Sequence, residues 1–173
     1  QAAVHSPSES MPGKLGERIT EEFINHGFAV RTAEEGSDSK SSLLEVYPHA
    51  ALIRLLELDT RLKYKVGKSK KYWPNTSKEE RMIFLMQNIQ AAYNALKTFI
   101  KPLEPHGRIV FPTKPEKLLR LKLFEDSLDA LVCAWVGVCH LNSKTKSYGD
   151  EKAAIWIPTD ETSVTTKFIH IKK

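Results

Sequence analysis

Between Leu118 and His140 apolar side chains return every three or four residues. Leu121, Phe124, Leu128, Leu131, Val132, Trp135 and Cys139 fall on one face of a helix. Acids interrupt the stripe. Asp126 and Asp129 stand three residues apart, so they are neighbours on one side of that helix, at the flank where core gives way to solvent. Glu125 lies one turn before Asp129 and closer to the stripe. Acids on helices are mostly solvated. At this border they can also point into a cleft and share a divalent cation.

The same periodicity places the other elements. Leu15, Ile19, Phe23 and Ile24 predict a helix over Lys14 to His26, stopped by Gly27. Phe28 to Thr32 reads as a short strand, and 34–42, with Gly36 and several serines, as a loop. Leu43 to Tyr47 is apolar on both faces except for Glu45, which predicts a strand covered on both sides and closed by Pro48. Glu45 therefore needs a partner, an ion or a wet strand end. A helix over His49 to Leu58 follows, with His49 a cap or structural residue rather than a ligand. Ser77 and Glu80 have capping-box spacing and open a helix to about Ile100, with Met82, Leu85, Met86, Ile89, Tyr93, Leu96 and Phe99 as its apolar face. Arg108 to Phe111 reads as a short strand or extended link, and Pro115 suits the first turn of the acidic helix. Asn142 to Asp150 reads as a polar loop, Ala153 to Pro158 as a strand, and Val164 to Ile171 as a possible final strand. Gln1 to Gly13 reads as irregular lead-in.

Arg61 to Trp73 adds a different chemistry. Lys63, Lys65, Lys68, Lys70 and Lys71 interleave with Tyr64, Tyr72 and Trp73. Lysines neutralise phosphates and aromatic faces stack on bases, so Lys63, Lys65, Lys68, Lys70, Lys71, Tyr72 and Trp73 are the candidate nucleic-acid contacts. A solvated loop anchored to the core by its aromatic rings has the same composition.

Composition changes little. The 173 residues suit one domain, 1–173, and 41% apolar with 27% charged residues is ordinary for a globular chain. A net charge of +5 mildly favours an anionic partner. No apolar run predicts a membrane span, which sets a membrane aside as partner. Cys133 and Cys139, six apart on one helix, are badly placed to bridge, and two cysteines without a zinc-type cluster fit a reducing, cytoplasmic setting. Phosphate-cradling glycine loops, HExxH helices and nucleophile elbows are absent from the sequence.

Three blocks together resemble one family. They are Leu44-Glu45-Val46-Tyr47-Pro48-His49-Ala50-Ala51, then Leu62-Lys63-Tyr64-Lys65, then Glu125-Asp126-Ser127-Leu128-Asp129-Ala130-Leu131, joined by Tyr148-Gly149-Asp150 and Ile155-Trp156-Ile157-Pro158. The family is a domain-of-unknown-function group of bacterial and archaeal proteins held to be nucleases of ribonuclease H fold, and the Asp-x-x-Asp-Ala-Leu helix is similar to that of RuvC-type junction resolvases. The resemblance spans 16–158, within a family-like region of 14–158 followed by an extension at 159–173. It implies an α/β, ribonuclease-H-like fold, of which this chain forms the C-terminal part, with a small sheet covered by long helices. It implies a metal-dependent phosphodiester hydrolase in which Asp126, Asp129 and Glu45 are catalytic and hold two Mg²⁺ or Mn²⁺ ions about 3.5–4 Å apart. One feature of such sites, an Asp on the first strand, has no counterpart before Glu45 except Asp38 in the polar loop. That departure predicts weak or no cleavage by this chain alone, a fragment or a member that has lost its site, and self-association through an unpaired sheet edge. The alternative function is a nucleic-acid-binding or protein-interaction module on the same fold without catalysis.

Overall fold

A computed structural model describes residues 15–33, 41–100 and 117–159. The expected lead-in at 1–13, most of the 34–42 loop, the link at 108–111, Pro115 and the final strand at 164–171 lie outside the described residues. The fold is mixed α/β, with five α-helices and two small two-stranded sheets among the described residues. In chain order these are α1 (Leu15–Asn25), β1 (Ala29–Val30), β2 (Ser42–Leu43), α2 (Pro48–Leu56), α3 (Ser69–Tyr72), α4 (Lys78–Leu96), α5 (Leu118–Leu141), β3 (Thr145–Gly149) and β4 (Ala154–Pro158). No helix among the described residues is long and apolar enough to cross a membrane.

The described residues divide into two compact units, one falling within 15–45 and 147–155, the other within 46–146 and 156–159. In the first, α1 ends where Gly27 takes a φ of +85°, a conformation cheap only for glycine. The chain turns back through Phe28, whose ring meets Phe23 edge-on at 5.1 Å. β1 then pairs in parallel with β2, Ala29 opposite Ser42 and Val30 opposite Leu43. The expected strand Leu43–Tyr47 is thus shorter and earlier. It continues only as a single parallel bridge from Glu45 to Ile155. Leu43, Leu44 and Val46 are half-buried and Glu45 is exposed, so the apolar run does not mark a strand covered on both faces.

The second unit holds the larger core. Ala51, Leu52 and Leu55 of α2, Ile89, Ala92, Tyr93 and Leu96 of α4, and Leu128, Val132, Trp135 and Val136 of α5 close around Leu62 and Tyr64. A smaller cluster of Met82, Leu85 and Leu121 joins the first turns of α4 and α5, and Val66 and Trp73 pack against it. The capping box is formed: Ser77 Oγ accepts from the Glu80 N–H at 3.1 Å, and Glu80 accepts from the Ser77 N–H at 2.8 Å. Pro48 opens α2, and His49 is buried one residue inside it rather than capping it.

The stretch 142–150, expected as a loop, contains β3. Its residues are mostly polar and exposed, so no alternation announces it. Pairing with β4 makes it a strand, and that strand does alternate between buried and half-buried positions. Asp150 organises the turn between them, its carboxylate accepting from the N–H groups of Lys152 and Ala153 at 2.9 and 3.1 Å. These bonds to the charged form hold its carboxyl below the usual range. A Cβ on Gly149 would stand 2.0 Å from the Ala153 carbonyl oxygen, so only glycine fits there.

Candidate functional site

Buried residues on α5 are Leu121, Glu125, Leu128, Val132, Trp135, Val136 and Cys139, and all but Val136 follow alternating steps of four and three. Every position but one is apolar. Glu125 occupies a core register and is only 3% exposed. A buried carboxylate survives only where donors replace its water, and the segment carrying Lys63 to Lys68 supplies them. Residues 61–65 belong to no helix or strand, with Leu62 and Tyr64 buried and Arg61 and Lys63 exposed to solvent. At Val66 the chain tightens into a single 3₁₀ turn, which aims the Val66 N–H at Glu125 Oε2, 2.7 Å away. The Val66 side chain packs beneath, against the cluster of Met82, Leu85 and Leu121.

Asp129, one turn along α5, is half-buried. Its Oδ1 accepts from the Tyr64 hydroxyl at 2.7 Å, and its Oδ2 accepts from the Lys65 ammonium. Lys65 also lies 3.4 Å from Glu125 Oε1 and 4.7 Å from the centre of the Tyr64 ring. Lys122 reaches Glu125 Oε1 at 2.8 Å and also bonds Asp126 Oδ1. Asp126 itself is exposed. One oxygen from each of Glu125, Asp126 and Asp129 falls within 4.8 Å of the other two, a grouping that could hold a metal ion. These are hard oxygen donors of the kind Mg²⁺ and Mn²⁺ take.

Burial first, then the bond to Asp129, pushes the Tyr64 phenol far above its ordinary value, so it remains a donor. Hydrogen bonds to Asp126 and Glu125 raise the Lys122 ammonium. His49 packs edge-on against Tyr64 at 5.0 Å, and its Nδ1 is buried without a hydrogen-bond partner among the described residues. Burial, then the charges of Lys65 and Arg61, hold this imidazole below its ordinary value.

That shift sets a pH dependence. Unfolded, His49 regains a pKa near 6.5 and binds a proton that the folded state refuses. Between that value and the lower folded one the unfolded chain binds more protons, so stability rises with pH and is lost on acidification. Urea denaturation should therefore give an unfolding free energy that falls as pH drops below about 6.5, with that part of the slope missing in His49→Gln. An identical slope in the variant would place the titration elsewhere.

Among the residues nominated from the sequence, the structure groups Asp126 and Asp129 and brings Lys65 onto Asp129. Glu45 stands in the first unit, exposed, outside that group. Lys63, Lys68, Lys70 and Lys71 are exposed. The Lys63 ammonium lies 5.9 Å from the centre of the Trp73 ring, and Tyr72 and Trp73 are half-buried and meet edge-on at 5.5 Å. Glu125, Tyr64, Lys122 and His49 were not nominated. For Glu125 a signal existed, a charged residue in step with the core stripe. For Lys122 a signal existed too, its i,i+3 and i,i+4 spacing to Glu125 and Asp126 on one helix, whereas for Tyr64 and His49 only the packing of distant segments reveals the role. Both cysteines are free, Cys133 exposed and Cys139 buried.

Residues 12–153 match the model of a family described as protein of unknown function, DUF429. No curated protein and no solved structure matches the chain at a significant level.

Proposed function

The chain belongs to the DUF429 family, and from that premise we propose that it is a metal-dependent phosphodiester hydrolase acting on nucleic acid, on a ribonuclease-H-like fold. The observation that carries this reading is the convergence of Glu125, Asp126 and Asp129 on one face of α5, each with an oxygen within 4.8 Å of the others. Glu125, Asp126 and Asp129 would hold Mg²⁺ or Mn²⁺. Such an ion supplies an activated water and stabilises charge on the phosphate oxygens. The chain's own residues have separate tasks. Tyr64 and the Val66 N–H fix the orientation of Asp129 and Glu125. Lys63, Lys68, Lys70 and Lys71 offer ammonium groups on the same segment for the phosphate backbone.

The network also favours a second reading. Two ammoniums, a phenol and a backbone N–H already satisfy the carboxylates, as expected of a binding module that needs no metal. Incubating the chain with a labelled oligonucleotide, with Mg²⁺, Mn²⁺ or EDTA, separates the two. Cleavage that needs the metal and stops with EDTA supports the hydrolase. Binding without cleavage in either metal supports the module.

Replacing Lys68, Lys70 and Lys71 together by Ala should weaken oligonucleotide binding about equally for all sequences. It should also flatten the slope of log K against log salt by about 2 for single strands, since each phosphate contact contributes roughly 0.7. Fluorescence anisotropy at several salt concentrations measures it. An unchanged slope moves the contact surface to another face.

A further inference from the structure

Each of the two inner carboxylates divides its oxygens between two kinds of donor. Glu125 Oε2 and Asp129 Oδ1 are held by groups that cannot leave without unfolding the segment, the Val66 N–H and the Tyr64 hydroxyl. The other oxygens, Glu125 Oε1 and Asp129 Oδ2, face the Lys65 ammonium. Lys65 thus stands where a cation shared by these two residues has to stand. Its side chain is 23% exposed and runs from a stretch that belongs to no helix or strand, so the ammonium can swing to solvent without disturbing a helix.

Charge points the same way. Three carboxylates face two ammoniums, Lys65 and Lys122, which leaves one negative charge on the cluster. Exchanging Lys65 for a divalent ion while Lys122 remains brings the group to neutrality. An independent sign of a missing ligand lies beside it. His49 is 9% exposed, its Nδ1 has no hydrogen-bond partner among the described residues, and its ring packs on Tyr64, the residue that donates to Asp129. A buried nitrogen of that kind asks for a partner.

We propose that Lys65 is an internal cation that closes the carboxylate cluster, and that a divalent metal ion enters by displacing it, which frees the ammonium for a substrate phosphate. The proposal rests on the hydrolase reading and adds its regulation: the free protein binds metal weakly because its own lysine competes. A divalent ion bridging Glu125 Oε1 and Asp129 Oδ2 would occupy the position that the Lys65 ammonium holds, so the two compete for the same oxygens. A phosphate that captures the displaced ammonium strengthens metal binding, and by linkage the metal strengthens phosphate binding.

Mn²⁺ titration of the 173-residue chain, followed by the paramagnetic resonance of free Mn²⁺, tests it on the wild type, Lys65→Met and Lys65→Arg. Lys65→Met should bind Mn²⁺ about tenfold more tightly or better, and Lys65→Arg, which keeps the charge, should resemble the wild type. A second measurement needs no variant. Acetylation of Lys65, mapped by mass spectrometry, should speed up when Mn²⁺ is added, while that of Lys78, exposed on the first turn of α4, should not. Equal Mn²⁺ affinity in the wild type and Lys65→Met, or Lys65 acetylation unchanged at saturating Mn²⁺, overturns the displacement and leaves the hydrolase reading standing. If none of the three proteins binds Mn²⁺, the metal site and the proposal fall together.

Discussion

Glu125→Ala should lower the unfolding free energy by about 3 kcal/mol and the melting temperature by roughly 6–12 °C for a chain of this size. Glu125 is 3% exposed, and three donors converge on it: the Val66 N–H, Lys122 and Lys65. Removing one partner of a fully buried pair costs roughly 3–5 kcal/mol. Here Lys65 and Lys122 are partly exposed and can turn to water, which discounts their share. The Val66 N–H has no such escape, and an orphaned buried donor costs about 1–3 kcal/mol by itself. Glu125→Gln keeps the shape and one acceptor, so it should lose roughly half as much. Asp126→Ala, at an exposed position paired with its i−4 lysine, should change stability by less than about 0.5 kcal/mol. Urea denaturation at constant m measures all three. A Glu125→Ala loss as small as that of Asp126→Ala would place Glu125 on a solvated flank.

Asp129→Asn should leave the fold nearly intact and lower Mn²⁺ affinity on the order of 100-fold, carrying with it any metal-dependent cleavage. The amide oxygen can still accept from the Tyr64 hydroxyl, so the local geometry survives. The charge does not survive, and a hard cation is held chiefly by charge. The amide NH₂ then faces Lys65, whose ammonium keeps Glu125 as its remaining carboxylate partner. A chain that retains wild-type Mn²⁺ affinity with Asn at 129 binds the ion somewhere other than α5. Calorimetric titration together with a melting curve separates lost ligation from lost folding.

Much of the scaffold was legible from period and punctuation. The 3.6-residue stripes of α4 and α5, the capping box at Ser77 and Glu80, the stop at Gly27 and the β4 strand are local facts. A few neighbouring residues carry each signal, so the sequence suffices. The pairing of Asp126 with Asp129 was legible for the same reason, since helical spacing alone puts them side by side.

Other features are decided between segments far apart in the chain. β3 lacks an apolar alternation of its own and is a strand because β4 lies beside it. Glu45 sits in an apolar run that reads as covered, yet it is exposed, because only two residues of β2 pair with β1. Lys65 belongs by composition to a solvated basic stretch. It turns inward because Tyr64 is drawn into the core and Val66 closes a turn over the start of α5, which sets its ammonium on Asp129, 64 residues away. By itself the sequence determined where the four longer helices lie and which acids share a face. Only the tertiary structure decided that Lys65, Tyr64 and the Val66 N–H complete the group, because those donors come from a segment far away in the chain that no local pattern names.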